Sequence, residues 1–159
     1  MASAALKKAA KGNAAERLIL ERFLPYRLSI LSNRVSRAIA ARYAKTFDLT
    51  IPEWRIIAVL GRRPGLTAKE VAEATEMDKV AVSRAVAKLV AAKRVSAHVH
   101  DEDGRAQSLT LTAQGEILHA RIAPIALKSE RKLLSALSTG ERAQFDALID
   151  RLLGAARDL

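Results

Sequence analysis

The chain has no cysteine among its 159 residues. Disulfides and thiolate-ligated zinc are therefore excluded, as is any switch that works by cysteine oxidation. Aromatics make up only 4% of the residues, while half are apolar and alanine and leucine are abundant. That balance predicts a globular chain built mostly of helix. No uninterrupted apolar run approaches the roughly 20 residues needed to span a bilayer, so no membrane partner is expected. The N-terminal lysines are not followed by an apolar core and a cleavage site, and a cytoplasmic protein is expected.

Positive charge is what the chain has in excess, a formal +10. Such an excess points to an anionic partner, most simply nucleic acid. It is unevenly spread. Residues 1–49 carry 10 Lys/Arg against 3 Asp/Glu, residues 50–112 carry 10 against 8, and residues 113–159 carry 7 against 6.

Residues 1–15 (MASAALKKAAKGNAA) are small and basic and read as a flexible arm, either a solvated tail or a segment touching phosphate. Residues 16–49 contain a long helix, interrupted or started afresh at Pro25. Leu28, Leu31, Val35, Ile39 and Tyr43 give it one apolar face, with Arg34, Arg37 and Arg42 off that stripe. Its length suggests a dimerisation element. Thr50 and Glu53 form a capping box for the next helix, with Leu49 and Trp54 as a hydrophobic staple. Thr67 and Glu70 repeat the arrangement, and Asp78 caps a third helix running to about Lys93.

That third helix has two faces at 100° per residue. Val82, Val86, Leu89 and Val90 form a core stripe. Opposite lie Val80, Arg84, Ala87, Lys88 and Ala91, with Ser83 at the margin. Small side chains allow close approach to base edges, and an arginine can bond guanine bidentately. Lys79, at the helix start, is placed for phosphate. An exposed amphipathic helix would also carry such a face; the hairpin that follows favours DNA reading. It comprises Val95–Val99 and Ala106–Thr112 in alternating pattern, joined by a polar turn with Asp103-Gly104. Arg105 leaves the tip in a position suited to a narrow minor groove, and Asp103 is expected to pair with and orient an arginine. Residues 113–159 form two further helices. The first is kinked at Pro124; the last is capped by Ser138 and Glu141 and buries Phe145, Leu148, Ile149, Leu152 and Leu153.

The predicted fold is thus mainly α with a small β-hairpin. A winged helix–turn–helix unit at residues 50–112 is flanked by N-terminal (16–49) and C-terminal (113–159) dimerisation helices. TIPEWRIIAVL at 50–60, the run from Leu66 to Val95, Asp103-Gly-Arg105 and the Leu-Thr-x-x-Gly at 111–115 resemble the MarR family of bacterial transcriptional regulators. The resemblance spans residues 28–153 and departs at Lys93-Arg94, where the pattern usually has a glycine. It implies a triangular homodimer binding an inverted-repeat operator in double-stranded DNA, usually as a repressor. It places Ser83 and Arg84 on the recognition helix and makes Arg105 the wing arginine. Many members release DNA on binding a small aromatic or anionic molecule between the dimer helices and the reader.

For such an effector, an aromatic carboxylate or a CoA thioester, the candidate residues are Tyr26, Ser29, Asn33, Arg34, Arg37 and Trp54. Solvated charges and a core staple are their alternative roles. A sequence-tolerant architectural DNA binder is the competing function, supported by the basic N-terminal third. An enzyme is not expected, since no nucleophile–base pair or glycine-rich phosphate loop is present. His98, His100 and Asp103 show a metal-like spacing but lack a nearby third histidine, so neither metal nor cofactor is expected.

Overall fold

Side-chain caps set where the helices begin. In the computed structural model, which describes residues 17–99 and 107–159, Thr50 accepts the Glu53 amide at 3.4 Å while Glu53 takes the Thr50 amide at 2.8 Å. Thr67–Glu70 and Ser138–Glu141 form the same reciprocal boxes. Asp78 accepts the amides of Val80 and Ala81 at 2.9 and 3.1 Å. Each cap satisfies donors that a helix start leaves open.

The resulting helices are α1 (Leu24–Phe47), α2 (Ile51–Arg62), α3 (Ala68–Thr75), α4 (Lys79–Ala91), α5 (Ala113–Leu134) and α6 (Thr139–Ala155). A 3₁₀ turn, Leu20–Arg22, precedes α1. Pro25 therefore stands in the first turn of a new helix, where its missing N–H costs nothing. α5 continues through Pro124 without a break.

The strands are β1 (Leu66–Thr67), β2 (Val95–Val99) and β3 (Gln107–Leu111), in the order β1-β3-β2, all antiparallel. Val95 faces Leu111, Ala97 faces Leu109 and Val99 faces Gln107. The alternation read from sequence therefore sets the hairpin register. β1 was not expected. Two residues are too few to show alternation, and they are recruited because Gly65, at φ +87°, turns its amide onto the Leu109 carbonyl at 2.8 Å.

The chain divides after Ala38 into two units. In the second, Tyr43 and Leu49 share a core with Ile56, Ile57 and Leu60 of α2, Val71 of α3, and Val82 and Leu89 of α4. Leu109 of β3 and Leu118 and Ile122 of α5 complete it. The C-terminal part of α1 thus belongs to the reader's core, although the expected boundary lay at residue 49. Two expectations about burial are corrected. On α4 the core takes Ala85 in place of Val90, which is exposed, because the sheet side of the helix faces an open groove. None of the α6 residues is buried; Phe145, Leu148, Leu152 and Leu153 are exposed. Their apolar stripe has no cover within a single chain.

Candidate nucleic-acid interface

α4 is held by its inner face and free on its outer one. Val82, Ala85 and Leu89 pack against α2 and α3. Lys79, Val80, Ser83, Arg84, Ala87 and Lys88 are exposed. Val80, in the first turn, is 57% exposed. The structure therefore brings Lys79, Val80, Ser83 and Arg84 together on one accessible surface. Lys88 is on the same helix, but its ammonium lies 3.9 Å from the buried Glu53 carboxylate of α2. Asp103 and Arg105, with the Asp103-Gly104 turn, lie outside the described residues, as do the 1–15 arm and His100.

Beside this surface runs a groove of about 810 Å³ between the start of α3, the sheet-facing side of α4 and the sheet. Thr67, Ala68 and Lys69 line one wall, Ser83, Ala87 and Val90 the second, and Ala97 and Gln107 the third. Lys69 is exposed, with its partner Glu73, also open to solvent, at 3.9 Å. The α3 wall was not singled out from sequence. Its signal was present in the Thr67 cap followed by Lys69, which puts a helix N-terminus and a cation together. The lining is mostly apolar, with the Thr67 and Ser83 hydroxyls, the Gln107 amide and the Lys69 ammonium as its polar groups.

The remaining candidates separate. Tyr26 and Arg34 line a groove of about 550 Å³ with Glu21, Leu24, Arg27, Leu28 and Leu31. Ser29 and Asn33 sit one turn apart on α1, the Asn33 amide donating to the Ser29 hydroxyl at 3.4 Å. Arg37 is exposed on the same helix. Trp54 packs into an aromatic cluster, 5.9 Å from Tyr43 and stacked 6.1 Å from His119 of α5. Burial pushes the Tyr43 phenol up to about 12, with Arg55 opposing and Glu53 adding to the rise. These contacts pack the half-buried Trp54 against the core. The His98 ring lies 3.1 Å from the Ser96 hydroxyl.

The fold is a winged helix–turn–helix, and the exposed face of α4 is its candidate DNA surface. The MarR family model matches residues 47–106. The HTH-type transcriptional repressor Rv2887 of Mycobacterium tuberculosis is 27% identical over 131 residues, covering 82% of this chain and 91% of its own length. A MarR/EmrR family regulator from Acinetobacter sp. ADP1 superimposes with a TM-score of 0.81 at 27% identity, over 89% of this chain and all of that one. The PcaV regulator of Streptomyces coelicolor, solved with its natural ligand, gives 0.69 at 24% identity over 89% and 99%. In sequence over residues 47–106 and in fold over most of its length, the chain is similar to MarR-family transcriptional regulators. Among the described residues, no helix is long and apolar enough to cross a membrane.

Proposed function

We propose that the protein is a homodimeric repressor that reads an inverted-repeat operator and responds to a small anionic effector. One observation carries this reading: an exposed strip of Val80, Ser83 and Arg84 sits beside a groove walled by Lys69, Thr67 and Gln107. The strip offers a methyl-bearing side chain, a hydroxyl and a guanidinium, which are groups that read base edges in a major groove. The groove offers backbone contacts, and Arg105 is assigned to the minor groove. A dimer would need its two recognition helices about 34–36 Å apart to enter successive major grooves.

The effector reading rests on the α1 groove, where Leu24, Leu28 and Leu31 flank Tyr26, and where Arg27 and Arg34 outnumber the one carboxylate, Glu21. Apolar walls, a phenol and two guanidiniums fit an aromatic carboxylate or an acyl-CoA thioester. Ser29, Asn33 and Arg37 extend the polar side of the same helix; Trp54 would act only through the core. PcaV was solved with a natural ligand, and the same mode of control is proposed here. A ligand that favours one spacing of the recognition helices shifts the population away from the DNA-competent one.

The test is selection from a pool of random duplexes, followed by competition of the enriched duplex against random DNA at fixed salt. A palindromic winner, preferred by about a thousandfold or more, is expected for a specific regulator. A ratio near unity would replace this reading with that of a sequence-tolerant architectural binder.

A further inference from the structure

The turn between α4 and β2 is fastened in three directions. α4 ends at Ala91, and Arg94 is the last residue before β2. The Arg94 amide donates to the Leu89 carbonyl at 2.8 Å, which ties it to the recognition helix. Its carbonyl accepts the Thr112 amide at 3.1 Å, and the Thr112 hydroxyl donates to the Lys93 carbonyl at 2.6 Å, which ties the turn to the start of α5. The side chain takes the third direction. Nη1 donates to the Asp48 carbonyl at 2.9 Å and Nη2 to the Phe47 carbonyl at 2.8 Å.

Those carbonyls close the C-terminal end of α1, where unpaired acceptors and the negative end of the helix dipole coincide. A guanidinium fork is a strong partner for such a pair. Phe47 is gripped from a second side, the Arg121 guanidinium of α5 lying 4.9 Å from its ring centre. The fork is made at a cost, because the Arg94 Nε is buried without a hydrogen-bond partner. A group needed only to fill space would be apolar here. An arginine that leaves one donor unmet in order to hold two distant carbonyls is placed for alignment.

We propose that Arg94 is a positioning residue for operator recognition. By clamping the end of α1 from the joint between recognition helix and wing, it sets the angle at which both are presented to DNA. This rests on the operator reading above.

The test uses full-length protein and the duplex that the wild type enriches, with its half-site spacer also lengthened and shortened by one base pair. Arg94→Ala and Arg94→Lys are compared below their unfolding temperatures. Arg94→Ala is expected to weaken binding to the enriched duplex about tenfold, as when only about a tenth of the molecules hold the competent placement. Binding to random duplex stays unchanged, and the preference among spacers flattens. Arg94→Lys, with a single ammonium for two carbonyls, falls between; if Arg94→Ala does not fold, the spacer preference of Arg94→Lys decides. Equal losses on enriched and random DNA, or an unaltered spacer preference, would overturn the assignment. Failure of the wild type to enrich any sequence would overturn the operator reading and this one with it. Enrichment by the wild type with an indifferent Arg94→Ala overturns this one alone.

Discussion

Gly115 lies against the backbone carbonyl of Arg94 so closely that a β-carbon would overlap the oxygen. The Thr112 cap causes this approach. Its hydroxyl accepts the Gly115 amide at 3.2 Å while its own amide binds Arg94, drawing the first turn of α5 onto the α4–β2 joint. Alanine ordinarily favours a helix interior over glycine by about 1 kcal/mol. Here the added methyl must lift α5 or break the cap, so Gly115→Ala is expected to destabilise by about 1–3 kcal/mol. Gly140, in the first turn of α6 with open space around it, is the control and should tolerate alanine. Urea unfolding of the two variants decides; a stabilised Gly115→Ala would refute the account.

Lys93 presents the opposite case. It stands at φ +55°, in the left-handed region, where a side chain costs about 1 kcal/mol and glycine costs little. Lys93→Gly is expected to raise stability by about 0.5–1 kcal/mol, a melting shift of a few degrees at this size. Lys93→Asn, which also tolerates this conformation, should give a smaller gain. A lower melting temperature in both variants would show that the lysine has a compensating role.

That position marks how far the sequence was legible. The departure from the family's glycine at 93–94 was visible in the residues, but its meaning was not. Lys93 takes over the left-handed turn, while Arg94 reaches carbonyls 46 and 47 residues earlier in the chain. Local signals were read well: the Thr50, Thr67, Asp78 and Ser138 caps all form, and the hairpin register follows the alternation of Val95, Ala97, Leu109 and Leu111. Long-range ones were not. β1 depends on Gly65 meeting Leu109, and the α3 wall of the groove depends on Lys69 approaching the side of α4 that bears Ser83. Periodicity also overstated burial, since Val90 and Leu148 carry the right spacing but have no covering partner in one chain.

On the proposed DNA face, Arg84 and Lys69 should fail differently. Arg84→Ala is expected to cost about 1–3 kcal/mol on the enriched operator and little on random duplex, if the guanidinium contacts a guanine edge. Lys69→Ala should weaken both alike and reduce the salt dependence by about one ion. Titrations at several salt concentrations separate the two. An Arg84→Ala that loses equally on both duplexes would make Arg84 a phosphate contact.

Two capping boxes make stability depend on acidity. The Glu70 carboxylate accepts the Thr67 amide at 2.8 Å and the Thr67 hydroxyl at 2.8 Å, and Glu141 does the same with Ser138. These bonds hold both carboxyls below their ordinary range. A pKa depressed in the folded state adds stability that is complete above the unfolded value, about 4.3, and is lost as pH falls through the folded one. Glu70→Gln with Glu141→Gln should therefore flatten the fall in melting temperature on the acid side of that value. Wild-type steepness in the double variant would mean that other carboxylates carry the effect.

The exposed stripe on α6 sets the last test. Phe145, Leu148 and Leu152 follow one another at three- and four-residue spacing on a helix with no buried residue. Large apolar side chains in such a row are unfavourable in water, at about 25 cal/mol for each Å² left uncovered. A second copy of the chain offers a matching stripe by symmetry, which is the isologous arrangement expected of a two-fold dimer. Leu148→Asp would place two like charges in that interface and should shift the sedimenting species from two chains to one. Operator affinity should then collapse with the loss of the second recognition helix, while the α2–α4 core, remote in sequence and built from other residues, keeps its helical signal. A wild type that sediments as a single chain at micromolar concentration would remove the dimer from the proposed mechanism, because one recognition helix cannot measure the spacing of two half-sites.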